Sequence, residues 1–339
     1  MSASRSSDPA VLFEAARSGN QAALAHLLSL VERGGPPSRA VAALAYTRPG
    51  DAYTVGLTGA PGAGKSTLTD RLITLARRDG LEGAGPVAVL AVDPSSPFSG
   101  GAILGDRVRM PSHGLDDGVY IRSMATRGHL GGLAVAVPDA VRVLSSVGMP
   151  VVLIETVGVG QQEVEVAAAT DTTVVVLNPG WGDAIQANKA GLLEIADLFV
   201  INKADRPDAR TTRRDLELML DLTDLGPWRP PIVDTVATTG EGVEELWATI
   251  GRHRHHLIDR GVLDLQRRER LEREFHQILV ARLSERAEVL IAAGRADDVH
   301  RAMLDGDLDP YEAADRVLER MTAAAASAPT DRRHSSSDS

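Results

Sequence analysis

Tyr53-Thr54-Val55-Gly56-Leu57-Thr58-Gly59-Ala60-Pro61-Gly62-Ala63-Gly64-Lys65-Ser66 is an apolar run that turns through glycines into a Lys-Ser pair. The run reads as a strand, the glycines as a tight loop and the residues from Lys65 onward as a helix, the order that a phosphate-binding loop requires. Without Cβ atoms in the way, backbone N–H groups can converge on phosphate oxygens, and the helix N-terminus favours the same anion. Gly59, Ala60, Pro61, Gly62, Ala63, Gly64, Lys65 and Ser66 are therefore the expected nucleotide cradle. Lys65 supplies charge at the β- and γ-phosphates, and the Ser66 hydroxyl is placed to hold Mg²⁺.

The surrounding chain repeats the same alternation. Short β-branched runs at Val87–Val92, Val119–Ile121, Val151–Ile154, Thr173–Leu177, Leu198–Ile201 and Ile232–Val233 are separated by helical segments. Apolar strands between helices predict an α/β fold whose mostly parallel sheet is covered on both faces. Before it, Pro9 to Ala45 shows helical spacing and predicts a small helical preface; beyond Gly261 the pattern is helical only. We expect a helical segment over 1–48, a nucleotide domain over 49–260, a helical extension over 261–323 and a disordered tail over 324–339. On the long helix of the extension, Leu271, Phe275, Ile278, Leu279, Leu283, Ala287 and Leu290 form an apolar stripe, to be packed on the α/β core or on a second copy of the chain.

The 339 residues carry 46 acidic and 36 basic side chains, a net charge of −10, with no concentrated basic run. That balance disfavours nucleic acid and anionic membranes as partners. There is no cysteine, so disulfides and thiol-bound metals are excluded, and with no apolar leader or span in the sequence we expect a cytoplasmic protein.

Three further clusters define the chemistry. Asn202-Lys203-Ala204-Asp205 follows the strand ending at Ile201, where ligands collect in such sheets. A carboxylate at Asp205 can accept from guanine N1–H and the exocyclic amine together, whereas adenine would leave it unpaired, so the spacing selects guanine. Ile154-Glu155-Thr156-Val157-Gly158-Val159-Gly160-Gln161 runs from a strand into a glycine-rich turn and is the expected γ-phosphate sensor. Glu155 would approach Mg²⁺ directly or through a water, and the Gly158 N–H would meet the γ-phosphate. Val159 follows Gly158, so no side chain orients water in the Ras-like position and hydrolysis without a partner is expected to be slow. Gln161 and Gln162 are either a mobile switch or ordinary polar loop residues. Asp93 and Asp106 are the remaining metal candidates. Asp93 reads equally as a turn acid, and Asp106 follows the flexible Ser99-Gly100-Gly101 segment, from which it could swing onto the metal. His253-Arg254-His255-His256 reads as the solvated face of a helix.

Together with Asp93-Pro94-Ser95-Ser96 and Ile103-Leu104-Gly105-Asp106-Arg107-Val108-Arg109-Met110, these motifs resemble the MeaB/ArgK-type GTPases, a family that includes the methylmalonic aciduria type A protein. The resemblance covers about residues 10 to 320. It implies a P-loop NTPase fold, GTP and GDP with Mg²⁺ as ligands, and nucleotide contacts at Gly59 to Thr67, Asn202, Lys203, Asp205 and the base-side loop Val236-Ala237-Thr238. Val236 stands where relatives commonly have Ser, which removes a hydroxyl but not the backbone N–H that usually meets guanine O6. The resemblance implies a chaperone of an adenosylcobalamin-dependent acyl-CoA mutase, of the methylmalonyl-CoA or isobutyryl-CoA type, that gates cofactor loading. It further implies catalytic parts for Lys65, Glu155, Gly158, Gln161 and Asp106, a nucleotide-reporting segment at Gly180–Gly191, and homodimers formed through the C-terminal helical arm. Two other classes stay open at this stage: a kinase-type phosphotransferase and a metal-insertion GTPase.

Overall fold

In the computed structural model of the chain the described residues are 8–81, 83–93, 110–125, 132–156, 167–180 and 193–326. Seven strands, β1 (Tyr53–Gly59), β2 (Val87–Asp93), β3 (Val119–Ala125), β4 (Val151–Thr156), β5 (Thr172–Leu177), β6 (Leu198–Asn202) and β7 (Ile232–Thr235), form one sheet in the order β3-β2-β4-β1-β5-β6-β7. All six ladders are parallel. The chain winds outward from β1 to β2 and β3, returns to β4 beside β1, and then crosses to β5. That reversal leaves a crevice at the carboxyl ends of the central strands, the place where open α/β sheets bind ligands.

The period of two along each strand sorts the core. Val87 and Val89 face one cluster with Val151 and Leu153, while Ala88, Leu90 and Val92 face the other with Val152 and Ile154. The first cluster is closed by Leu68, Leu72 and Ile73 of α4 (Lys65–Arg78) and by Leu246, Trp247 and Ile250 of α7 (Val243–Asp259). The second is closed by α5 (Gly132–Ser146) and the N-terminal helices α1 (Pro9–Arg17), α2 (Gln21–Arg33) and α3 (Gly35–Tyr46). Asp8 and Asn20 cap the first two, accepting from the backbone N–H groups of Ala10 and Ala23, which satisfies donors that a helix start leaves orphaned. A buried ion pair, Arg122 to Glu32 at 2.7 Å with Ser29 as a second acceptor, ties α2 to β3. Leu216 and Leu220 of α6 (Ala209–Asp221) cover β5 and β6.

The chain divides into two compact units, Met1–Glu274 and Phe275–Ser339, and α8 (Val262–Ala292) runs through the boundary. In the second unit α9 (Asp297–Leu304) and α10 (Pro310–Ala326) pack around Val299, Leu308 and Ala313. Of the stripe on α8, Leu271, Phe275, Leu279 and Leu283 are exposed, Phe275 at 60 %, whereas Leu290 is buried. Within the first unit, the start of α8 is held by Leu263, which packs against the first cluster, and by polar contacts. Arg267 and Arg270 both reach the buried carboxylate of Asp171, just ahead of β5, and Glu274 pairs with Arg142 of α5.

The histidine run in α7 also departs from expectation. His255 is exposed, but His253 is buried at 1 % exposure. Tyr53 Oη lies 2.6 Å from Thr172 Oγ1, which lies 2.9 Å from His253 Nδ1. A neutral imidazole accepts at Nδ1 from the threonine hydroxyl, which accepts in turn from the tyrosine, so each polar atom is matched. Trp228 packs on the ring at 4.8 Å. A helical wheel alone could not separate His253 from its neighbours, because the decisive partner comes from β5.

Burial pushes the His253 pKa down to about 4, the neighbouring His256 acts in the same direction, and Asp171 opposes them. A histidine whose folded pKa lies below its unfolded value of about 6.5 binds fewer protons in the fold. Its stabilising contribution is therefore intact above that value and drains away as pH falls toward 4. His253→Gln should be less stable than the parent at pH 7 yet lose less melting temperature between pH 7 and pH 5. Thermal melts at the two pH values test this, and an unchanged pH dependence would locate the acid sensitivity elsewhere.

Candidate nucleotide site

The glycine loop sits where β1 enters α4, and its shape depends on close approach. A Cβ on Gly59, whose φ is +129°, would collide with the Val176 carbonyl oxygen of β5, and one on Gly64, at +91°, would collide with Asn202 Nδ2. Both are left-handed positions that favour glycine. Lys65 is buried, and its Nζ donates to the carbonyl oxygens of Gly59 at 2.5 Å and Ala60 at 3.0 Å, which holds the ammonium under the loop.

Glu155, on β4, and Ser66, at the start of α4, meet at the phosphate loop. Register places Glu155 beside Leu57 on β1 and Ala91 on β2, and the Ser66 hydroxyl donates to Glu155 Oε1. Glu155 Oε2 is buried and has no hydrogen-bond partner among the described residues. A buried carboxylate oxygen without a partner carries a desolvation cost that a ligand can relieve. An acid and a hydroxyl at the mouth of a phosphate loop are hard oxygen donors, the chemistry that suits Mg²⁺.

Asn202 binds the site together. Its Nδ2 donates to the Ala63 carbonyl oxygen at 2.7 Å, and its Oδ1 accepts from the Ala237 N–H at 3.1 Å and the Thr235 hydroxyl at 3.2 Å. One side chain thus fastens the phosphate loop, the end of β6 and the base-side loop. Lys203 adopts φ 61°, left-handed for a non-glycine residue, and its Nζ donates to the Gly62 carbonyl oxygen at 2.7 Å. Asp205 is exposed and carries no hydrogen bond or ion pair to any described residue. In the base-side loop the Val236 N–H donates to the Glu241 carbonyl oxygen at 3.0 Å and the Ala237 N–H to Asn202. Among the described residues, the Thr238 N–H finds no acceptor, which leaves it as the loop's available donor for a guanine O6.

A sequence profile described as Methylmalonyl Co-A mutase-associated GTPase MeaB matches residues 24–291. The chain belongs to the MeaB family. It is 49 % identical over 315 residues to a Pyrococcus abyssi protein assigned by name to the GTPases, a match that covers 91 % of this chain and 96 % of that one. GTPase ArgK of Escherichia coli is 38 % identical over 245 residues, 69 % of this chain and 72 % of ArgK. The mitochondrial methylmalonic aciduria type A homolog of Mus musculus is 35 % identical over 275 residues, covering 79 % of this chain and 65 % of the homolog. The fold matches a crystal structure described as LAO/AO transport system kinase, with TM-score 0.68, 27 % identity and coverage of 93 % of this chain and 97 % of that one. This MeaB-family chain is accordingly a P-loop GTPase that binds guanine nucleotide.

Within this MeaB-family site the structure brings together Gly59 to Ser66, Glu155, Asn202, Lys203 and the 236–238 loop. Asp106, Gly158, Gln161 and Gln162, the Asp93 side chain and 181–191 of the expected reporting segment lie outside the described residues. Sequence reasoning missed Arg71. From α4 its Nε donates to the Ala237 carbonyl oxygen at 3.1 Å and its Nη2 to that of Thr238 at 2.7 Å. No motif marks it, because its partners lie far along the chain. No helix among the described residues is long and apolar enough to cross a membrane.

Proposed function

We propose that this GTPase serves an adenosylcobalamin-dependent acyl-CoA mutase of the methylmalonyl-CoA or isobutyryl-CoA type, gating cofactor loading and guarding the enzyme, with GTP hydrolysis as the timer. The observation that carries the mutase assignment is the family match, named for a mutase-associated GTPase, together with the likeness to the methylmalonic aciduria type A homolog. In this reading Lys65 and the loop amides hold the β- and γ-phosphates, while Ser66 and Glu155 hold Mg²⁺, with Asp93 and Asp106 as further candidates. The metal would neutralise charge developing on the phosphate oxygens. Thr67, at the start of α4, stands beside the same phosphates. Gly158 and Gln161 would sense the γ-phosphate, and Asp205 and Thr238 would read the base. With no side chain assigned to orient water, hydrolysis is slow until the partner completes the site. The exposed apolar residues of α8 supply a surface for a homodimer, to be checked by light scattering.

Adding the cognate mutase should raise the GTPase rate, and a non-hydrolysable GTP analogue should hold the two proteins together in a pull-down from native extract. A rate indifferent to every carbon-skeleton mutase would count against the role. A second reading, kinase-type phosphotransfer, is favoured only by the name of the matched crystal structure. Radiolabelled γ-phosphate appearing on a protein or amino acid, rather than as free phosphate, would support it.

A further inference from the structure

Beyond the motif residues, one side chain reaches from the phosphate half of the site to the base half. Arg71 projects from α4, the helix that begins at Lys65, and its guanidinium donates to two consecutive carbonyl oxygens of the base-side loop, Ala237 and Thr238. A planar fork suits such paired acceptors, and a lysine ammonium does not reproduce it. The peptide plane converts this grip into aim. In a trans peptide the N–H points opposite to the C=O, so fixing the Ala237 carbonyl also fixes the direction of the Thr238 N–H, the loop's free donor. Asn202 Oδ1 holds the preceding N–H, that of Ala237, so the Ala237 backbone is gripped on both sides. The rest of the loop is closed by the Val236–Glu241 bridge and by a turn in which the Thr239 and Gly240 N–H groups donate to the Val236 carbonyl oxygen. Among the described residues, only the Ala237–Thr238 corner depends on a side chain from α4.

We infer that Arg71 is a positioning residue for guanine selection: it orients the Ala237–Thr238 corner so that the Thr238 amide faces the 6-keto oxygen of a bound purine. The inference rests on the guanine-site reading above. It assigns no contact between Arg71 and the nucleotide. Arg71 lies at the surface, where water competes for the carbonyls, so the effect belongs at the low end for a charged hydrogen-bond pair.

The test measures dissociation constants of wild type, Arg71→Ala and Arg71→Lys for GTP, ATP and inorganic pyrophosphate, each with Mg²⁺. For Arg71→Ala we expect GTP binding to weaken about tenfold, pyrophosphate binding to stay unchanged, and the GTP-over-ATP preference to shrink by the same factor; the lysine variant should recover part of the loss. Equal weakening for all three ligands would mean that Arg71 only braces the fold, and no change for GTP would mean that the corner holds itself; either overturns the inference. A wild-type chain that does not prefer GTP over ATP would instead overturn the guanine reading, and the inference with it.

Discussion

Asp205→Asn should weaken GTP binding about a thousandfold, roughly 4 kcal/mol, while improving binding of xanthine nucleotides. Guanine presents two donors on one edge, N1–H and the exocyclic amine, and a carboxylate accepts both. An asparagine amide turns one of those acceptors into a donor, which then faces a donor on guanine but fits the 2-keto oxygen of xanthine. The loss is large because a polar group left unpaired in the bound site costs more than a hydrogen bond between neutral partners gains. Nothing in the fold should suffer, since Asp205 is exposed and unbonded among the described residues. Competition titrations with GTP, GDP and xanthosine triphosphate measure the exchange, and unchanged GTP affinity would sink the guanine assignment.

Asp171→Ala should cost about 3 kcal/mol of stability and lower the melting temperature by roughly 5 °C while leaving GTP affinity intact. The Asp171 side chain is 1 % exposed and takes bonds from Arg267, Arg270 and the Thr54 N–H. Removing it strands two guanidiniums, although Arg267 is 30 % exposed and can turn to water, which keeps the loss below that of a fully buried pair. Burial alone would raise the carboxyl pKa, but the bonds from Arg267, the charge of Arg270 and the Thr54 N–H outweigh it and hold it below the ordinary range. A carboxylate with a depressed folded pKa contributes stability that is present above its unfolded value of about 3.9 and lost as pH falls through the folded one. The gap between parent and variant should therefore be full at pH 7 and close only in strong acid. Asp171→Asn keeps an acceptor for Thr54 and should lose less. Calorimetric melts from pH 7 downward decide it; a gap that is absent at pH 7 would mean that the clamp contributes nothing. GTP binding is spared because Asp171 precedes β5, at the opposite end of the strands from Gly59 and Val176.

The two experiments probe parts of the chain that differed in how well they could be read. Asp205 stood out because its motif is local: four consecutive residues after a strand carry the whole chemical argument. Asp171 carried no signal, since its partners on α8 are remote in the chain and its burial arises only once the start of α8 meets the segments just before β1 and β5. His253 looked like part of a solvated run, and a threonine from β5 makes it a core residue. Asn202 was legible as part of a guanine motif, while its grip on Ala63 and Ala237 was not. The α8 stripe was correctly read as apolar, but its exposure depends on what surrounds the helix.

Local spacing and alternation, which act through the period of two in strands and the backbone freedom of glycine, determined by themselves the parallel α/β sheet and the strand–loop–helix at Gly59–Ser66, and they single out Asp205 as the proposed guanine reader. Only the tertiary structure decided that Ser66 and Glu155 meet, that Asn202 ties the phosphate loop to the base-side loop and Arg71 ties α4 to it, and that Asp171 clamps α8. Those pairings join residues far apart in sequence, and no short-range rule specifies them until the sheet order has brought the strand ends together.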